Sequence, residues 1–594
     1  MKKHTMVFLR QAAALAMFLG LTSVPGISLA LEYQFGEVTL QWDSRVSMGA
    51  SWRMESPDDD LIGISNGGQA FSTNGDDANL AYDKNDAITT GFKFTTDMQF
   101  TYKNMGVFLR GTYRYDHVNK NKQFFNEENY AGPPFFTQDA GDLNRKRARV
   151  RDEIGNNFDL LDAYFFGDFE IGESYVTYRV GRQVLNWGES LFIQNGINSI
   201  TSVNANRLRT PGFTIAELYE PAGMSVVNFD IGPVSVEAFH QWEWRKTEID
   251  ATGSYFSTND FIGIGGNAAE IGFGRCAENS APGVCAVAPG GSSIPRGSDI
   301  EPEDGGQYGV ALRFVVPALN EMDVGVYFAN YHSRLPTASG NAVTVPGVAS
   351  TGRYKVEYPE DIQLFGLSFN TVLGEWAFQG EYSLKKDQPL AIDDVELFIA
   401  GLRAGLPSQV GTFGPGEFIQ GWKRFDVSQI DLSAIRIIGP IELIGSDQLV
   451  LLGEVGVTKV HSMPSEDELR LEGPGTYRPG DATVAAAQGV SVQEDGYADA
   501  TSWGYRLAAR FEYNNVFDLF TLEPTLFFAH DVSGTSPSPI INFVEDRKQL
   551  TASLNGRYLQ AWEAGLSYTR YWGGEPFNLV SDRDFVSIFV SYSF

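Results

Sequence analysis

The sequence predicts a transmembrane antiparallel β-barrel of about 18 strands, with 16 the neighbouring even count, and three observations lead there. The chain ends in Val586-Ser-Ile-Phe-Val-Ser-Tyr-Ser-Phe594, where apolar residues at every second position oppose serines, Phe589 excepted. Segments with the same alternation recur throughout and run to about ten residues, the length a tilted strand needs to cross a bilayer. Tight connections alternate with long polar ones from end to end, as short periplasmic turns and long extracellular loops require.

The elements follow in order. Residues 1–30 read as a cleaved secretory signal: Lys2, Lys3 and Arg10 are the basic start, residues 12–21 an apolar core, and Ser28-Leu29-Ala30 the small residues for cleavage. That core is shorter than the ~20 residues of a permanent membrane helix. Residues 31–594 are then expected as one exported barrel domain with no N-terminal plug. Strands are expected at about 38–52, 91–102, 107–116, 158–171, 175–185, 224–231, 234–245, 307–316 and 322–332. The second half continues with 361–371, 375–384, 427–437, 448–460, 502–513, 517–530, 548–559, 561–571 and 585–594. Tight connections include 103–105, 172–174 and Gly232-Pro233; long ones include 53–90, 117–157, 246–306, 385–426 and 461–501. Trp42, Trp52, Trp242, Trp244, Trp503, Trp562 and Trp572 sit near strand ends and suit the aromatic girdles of a barrel. A terminal Phe594 resembles the signal that the barrel assembly machinery reads.

Composition excludes several functions. Apolar residues make up 43% of the chain, too few for a helical transporter, while 13% aromatic content with 63 glycines suits strands and irregular loops. A net charge of −29 argues against nucleic-acid binding, which needs a basic footprint. It suits loops in water, where carboxylates can hold divalent cations between lipopolysaccharide phosphates. Cys276 and Cys285 are the only cysteines and read as one disulfide pinning a loop. The five histidines after residue 30 fall into no recognisable triad, and no zinc spacing or phosphate-binding loop is present. No catalytic residue, metal site or cofactor is expected. The acidic clusters Asp58-Asp-Asp60 and Asp76-Asp77 are of a type that can bind calcium but lack the spacing of a dedicated calcium loop.

Inward positions carry Lys93, Arg110, Arg114, Arg179, Arg245, Arg313, Arg506, Arg510 and Arg557, facing Asp97, Glu237, Glu381, Glu454, Glu512 and Glu563. Opposed rows across a water-filled lumen would select permeants by charge and size. The same residues suit structural ion pairs equally well. Segment 186–221 is a polar, Gly-containing connection expected on the extracellular side, and folding inward it would narrow the lumen with Glu189, Arg207, Arg209 and Glu217. Its alternative is a solvated surface loop. The basic run 145–151 is a candidate for lipopolysaccharide phosphates, or a solvated stretch paired with Asp152 and Glu153.

Several stretches resemble a proteobacterial outer-membrane family catalogued as a domain of unknown function, DUF1302. They are Asn79-Leu-Ala-Tyr-Asp-Lys84, Leu160-Leu-Asp-Ala-Tyr164, Gly181-Arg-Gln-Val-Leu-Asn-Trp-Gly-Glu-Ser190 and Ile193-Gln-Asn-Gly-Ile-Asn198. Glu237-Ala-Phe-His-Gln-Trp-Glu-Trp244, Lys246-Thr-Glu-Ile-Asp250 and Phe256-Ser-Thr-Asn-Asp260 complete the set. The likeness is densest over 79–260; Gly-Arg-Gln before Trp-Gly alone is shared with several porins. The resemblance implies a barrel, often encoded near RND-type exporters and periplasmic lipid-carrier-like proteins, and movement of lipidic or other hydrophobic compounds. The expected function is an outer-membrane channel working with such partners. A structural or surface-binding barrel is the alternative, and a barrel hydrolase the third.

Overall fold

The computed structural model describes residues 31–122, 140–172 and 174–594. The signal reading of 1–30, and Glu173 in its tight turn, lie outside these residues.

Hydrocarbon offers no water to an unpaired N–H or C=O, so strands cross a bilayer only as a closed sheet. The period-two segments meet that demand as β1 (Val38–Arg53), β2 (Ala87–Tyr102), β3 (Met105–Asp116), β4 (Asn156–Ile171), β5 (Ser174–Gln183), β6 (Ala222–Ile231), β7 (Val234–Gln241), β8 (Gln307–Val316) and β9 (Met322–Tyr331). The second half supplies β10 (Ile362–Leu373), β11 (Trp376–Ala391), β12 (Trp422–Ile438), β13 (Gln448–Val460), β14 (Thr501–Val516), β15 (Phe520–Ser533), β16 (Lys548–Tyr558), β17 (Trp562–Trp572) and β18 (Phe585–Ser593). Each pairs antiparallel with the next, and β1 pairs with β18 from Arg45↔Ser593 to Arg53↔Phe585, closing an 18-strand barrel. Below that seam the short strand Leu31–Phe35 doubles back on Val38–Trp42 and covers the edge that β18 leaves. Phe594 extends the seam by one reciprocal pair with Ser44, both bonds 2.8 Å.

Count and order agree with the alternation read from the sequence. Several bounds move: β2 and β12 begin four and five residues earlier than read, and β11 runs seven residues further. β7 ends at Gln241, so Trp242, Trp244 and Arg245 belong to the following loop and Arg245 leaves the inward row. The alternation there continues past the point where the chain leaves the sheet.

Burial is inverted relative to a water-soluble protein. Met48, Phe92, Leu312, Leu367, Leu432, Leu507, Leu566 and Ile588 stand 38–57% exposed on the outer face, while Lys93, Glu381, Glu454 and Arg510 are buried inside. An apolar belt of this extent is a surface for lipid. In β4 a register shift opposite Leu109–Gly111 turns Leu161 and Asp162 inward, so that Phe158 and Leu160 before it and Phe165 and Phe169 after it all face out. No helix among the described residues is long and apolar enough to cross a membrane.

Extracellular loops fold over the upper rim. The loop between β7 and β8 holds the Cys276–Cys285 disulfide, Cα–Cα 5.6 Å, packed among Ile271, Val287 and Ala288 of the same loop. The basic run 145–151 lies on a helix, Ala140–Gly155, of the loop between β3 and β4.

Phe594 contributes two backbone hydrogen bonds, about 1 kcal/mol each net, too little to unfold the assembled ring. Deleting it should slow the appearance of the heat-modifiable folded form on gels and leave the melting temperature of the assembled fraction unchanged. Assembly at the wild-type rate would contradict the signal role of Phe594.

Candidate functional site in the lumen

The connection between β5 and β6, residues 184–221, leaves the rim and descends into the barrel. Irregular backbone inside a barrel has amides with no ladder to join, and buried polar groups must find partners. Two wall carboxylates supply them. Glu381 of β11 accepts the amides of Glu189 (2.6 Å), Ser190 (3.0 Å) and Ile197 (2.8 Å). Glu454 of β13 accepts those of Leu191 (2.8 Å), Phe192 (2.7 Å) and Ile193 (3.1 Å), with the Ser190 hydroxyl at 3.2 Å. The need is reciprocal, since each carboxylate is 3% exposed and unpaired burial of its charge would be costly.

Small wall residues make room for the clamped limb. A Cβ on Gly456 would stand 2.6 Å from Ile193, one on Gly366 2.8 Å from Ile197, and one on Gly309 3.0 Å from the Trp187 ring. Trp187 is 1% exposed, packs edge-on against Phe239 at 5.2 Å, and donates its indole N–H to Glu237 at 2.5 Å. Phe192 reaches Phe527 of β15, rings 5.1 Å apart. The first limb therefore runs from the β7–β10 wall to the far side.

The second limb is fastened to the other flank. Glu217 caps its own short helix through Thr214 and pairs with Lys93 of β2 at 2.5 Å, while Lys93 also donates to the Gly212 carbonyl at 2.9 Å. Phe589, the residue that breaks the serine face of β18, points inward; it lies against Gly212 of the limb and covers Gly49 and Gly565 of the wall. Between the two fastenings, residues 184–221 touch the wall on several sides.

Of the residues read as a constriction, Arg207 is 5% exposed and paired with Glu220 (2.8 Å) and Asp159 (3.3 Å). Arg209 grips Asp250 through two nitrogens at 3.1 Å and lies 4.0 Å from the centre of the Phe256 ring. Both hold the segment in place and are already engaged. Glu189 enters the clamp through its backbone, its carboxylate meeting Asn370 at 3.3 Å.

The charged rows pair along the wall instead of facing each other across open water. Arg110 meets Asp97 (2.5 Å) and Asp162 (3.5 Å), Arg313 meets Glu237 (3.7 Å), and Arg506 meets Asp531 (2.7 Å). Glu523 joins Arg557 (2.7 Å) and Arg510 (3.9 Å), Arg45 meets Glu563 (2.8 Å), and Arg114 lies 3.6 Å from both Glu153 and Asp159. Arg179 lies 5.9 Å from the centre of the Tyr164 ring. Arg245, in its loop, pairs with Glu243 at 2.7 Å. Arg110 stands directly opposite Asp97 in the ladder, and the Arg313–Glu237, Arg506–Asp531 and Arg557–Glu523 partners sit diagonally on adjacent strands.

Above the second limb, seven extracellular loops enclose a cavity of about 370 Å³. Phe256, Ile262, Leu335, Ile541, Phe577 and Val580 make its lining chiefly apolar; Asp250, Asn259, Asp394, Glu472 and Arg547 are among its polar residues. Asp250 and Phe256, which hold Arg209, form part of that lining, so cavity and inward segment are contiguous. On the outer face near the rim, Ser428 Oγ lies 2.7 Å from His461 Nε2 and 3.0 Å from the Tyr382 hydroxyl. Among the described residues no carboxylate is bonded to that imidazole, so the pair lacks the orienting group of a hydrolytic triad.

The sequence marked Glu381 and Glu454 as inward carboxylates but not as clamps. Gly188 and Gly196, both pressed against Glu381, are the nearest local signal. The family model described as "Protein of unknown function (DUF1302)" matches residues 10–594. No curated protein matches the sequence. Similar solved structures include Acinetobacter baumannii OccAB1, with TM-score 0.39, 10% identity and coverage of 93% of this chain and 96% of that one. Pseudomonas aeruginosa OccK5 (OpdH) aligns with TM-score 0.40 and 8% identity over 93% and 98% of the two chains. Pseudomonas aeruginosa OpdK with vanillate aligns with TM-score 0.37 and 8% identity over the same shares.

Hydrogen bonds to a charged acceptor contribute about 1.5–3 kcal/mol each. Changing Glu381→Gln together with Glu454→Gln removes both charges and leaves the glutamine amides facing N–H donors. Amide exchange at 189–193 and 197 should then accelerate about 100-fold or more, the equivalent of two such bonds, in a barrel that still shows heat-modifiable mobility. Unchanged protection would show that the carboxylates do not hold the limb.

Proposed function

The chain belongs to the DUF1302 family of proteins of unknown function, and from that premise we propose that it is an outer-membrane channel for small, largely apolar compounds. The observation that carries this reading is the segment 184–221, clamped inside the barrel by Glu381 and Glu454. A barrel that served only as scaffold would need no dedicated wall carboxylates and wall glycines to seat an inward loop. In a channel, the same loop sets the width of the path. Arg207, Arg209 and Glu217 fix its course, and Glu189 lies on the clamped limb.

The class of solute is read from two features. The cavity above the segment is lined mainly by apolar side chains and accommodates a compound of modest size. Pairing of the wall charges leaves few free ones to attract an ion, so uncharged or weakly charged solutes are favoured over strong electrolytes. In the proposed path a compound is held first among the loops, then passes Arg209 and the second limb. Signal-dependent export, assembly through Phe594, contact with lipopolysaccharide, and hand-over to a periplasmic lipid-carrier-like protein and an RND-type exporter belong to the same proposal. No enzymatic step is part of it.

A structural or surface-binding barrel is the second reading, and the filled, ion-paired lumen is the observation in its favour. Conductance separates the two. Purified full-length protein in a planar bilayer should show discrete, small conductance steps. Replacing residues 187–200 by a short Gly-Ser link should raise the step size several-fold. Absence of steps, together with no uptake of an apolar tracer into proteoliposomes, would remove the channel reading. Steps unchanged by the replacement would place the constriction elsewhere.

A further inference from the structure

Burying a carboxylate without a partner is costly, and native proteins do so where a cation supplies the missing charge. Such a place exists in the extracellular loops, away from the lumen. Asp76 and Asp77 stand at the start of the short helix Asp77–Ala81 in the loop that follows β1, and Glu278 lies within the disulfide-closed turn Cys276–Cys285 of the loop after β7. Carboxylate oxygens of these three residues all lie within 4.8 Å of one another. The residues are 1%, 7% and 9% exposed.

The bonding around them is lopsided. One oxygen of Asp76 is fixed by the Gly63 amide (2.8 Å) and the Asn66 side chain (2.9 Å), while its Oδ1 is buried with no hydrogen-bond partner. Asp77 Oδ1 is likewise buried without a partner. Asp260 accepts the Asp77 amide at 3.2 Å through Oδ2 and leaves its own Oδ1 unpartnered. Among the described residues no Lys, Arg or His lies within 4.0 Å of any of the four carboxylates.

We propose that Asp76, Asp77 and Glu278, with Asp260 beside them, bind a calcium ion that fastens the first extracellular loop to the disulfide-bearing loop. The donor set is all oxygen and mostly anionic, which selects a hard divalent cation over the metals that prefer nitrogen or sulfur. Calcium takes six to eight oxygens at about 2.3–2.6 Å, so ligands on opposite sides of it stand about 4.6–5.2 Å apart, and oxygens within 4.8 Å of one another can share one such ion. Magnesium, which gives up its water reluctantly and is seldom held by an all-protein cage, fits a buried carboxylate cluster less well. Ser72 and Asn74, just before the acidic pair, and Asn259, just before Asp260, line the loop cavity. An ion here therefore also fixes the shape of that cavity.

The test uses full-length protein in detergent, freed of lipopolysaccharide and titrated with terbium and then calcium. One saturable terbium site per chain, displaced by calcium, is expected. Asp77→Asn with Glu278→Gln should weaken binding on the order of 100-fold, since ligand charge count tunes calcium affinity. Asp59→Asn with Asp60→Asn, a pair of exposed acids, should leave it intact. Chelation should speed amide exchange over 58–77 and 260–280 of the wild type alone, with the strands unaffected. The proposal falls if the wild type shows no saturable site, if the exposed pair matters as much as the buried one, or if chelation changes neither loop. Should the buried-pair variant fail to assemble, wild-type stoichiometry and the chelation result still decide.

Discussion

Everything in this molecule follows from one constraint: a strand in hydrocarbon must find all its backbone partners within the sheet. The pairing of β1 with β18 meets it, helped below by the Leu31–Phe35 hairpin and at the very end by Phe594. Closure then sorts the side chains. Alternate residues meet lipid and are apolar; the others face an enclosed space and carry the charges. Because the enclosed side is shared among neighbouring strands, many charges meet an opposite one along the wall, as Arg506 meets Asp531 and Arg557 meets Glu523.

A ring of this many strands encloses more space than its own side chains fill. The chain fills it with its own segment 184–221, and this creates a second demand, since that segment brings unpaired amides inside. Glu381 and Glu454 answer it, and the glycines at 309, 366 and 456 leave room for the Trp187, Ile197 and Ile193 side chains. Phe589 is the counterpart on the opposite flank, a large wall residue set against Gly212 of the loop. Bulk on one surface meets absence of bulk on the other, so the segment has one seat in the lumen.

The barrel was legible because its signal is local. Period-two alternation recurs in strand after strand within single segments of about ten residues, and the parity of connection lengths needs no knowledge of partners. Arg245 was misplaced because Trp242 and Trp244 prolong the alternation beyond the last ladder bond of β7. The clamp was not legible, because Glu189 and Glu381 are 192 positions apart and meet only through the order of strands around the ring. Arg207 and Arg209 lie on the segment that enters the barrel, and their pairing was not legible, since their partners, Glu220 and Asp250, become neighbours only when the loop has folded. The irregularity at Phe589 was visible in the sequence, but its meaning depended on a glycine more than three hundred residues away.

The central claim is that residues 184–221 sit inside the barrel against defined wall positions. A cross-link measures this directly: Ile197→Cys with Gly366→Cys, introduced together in the full-length chain. A Cβ built on Gly366 stands 2.9 Å from Ile197 Cγ1, which is compatible with the ~3.5–4.5 Å Cβ separation of a disulfide. Peptide mass spectrometry of the folded, outer-membrane protein should find these two thiols joined almost completely under mild oxidation. Both thiols free and open to alkylation in a correctly folded barrel would contradict the account.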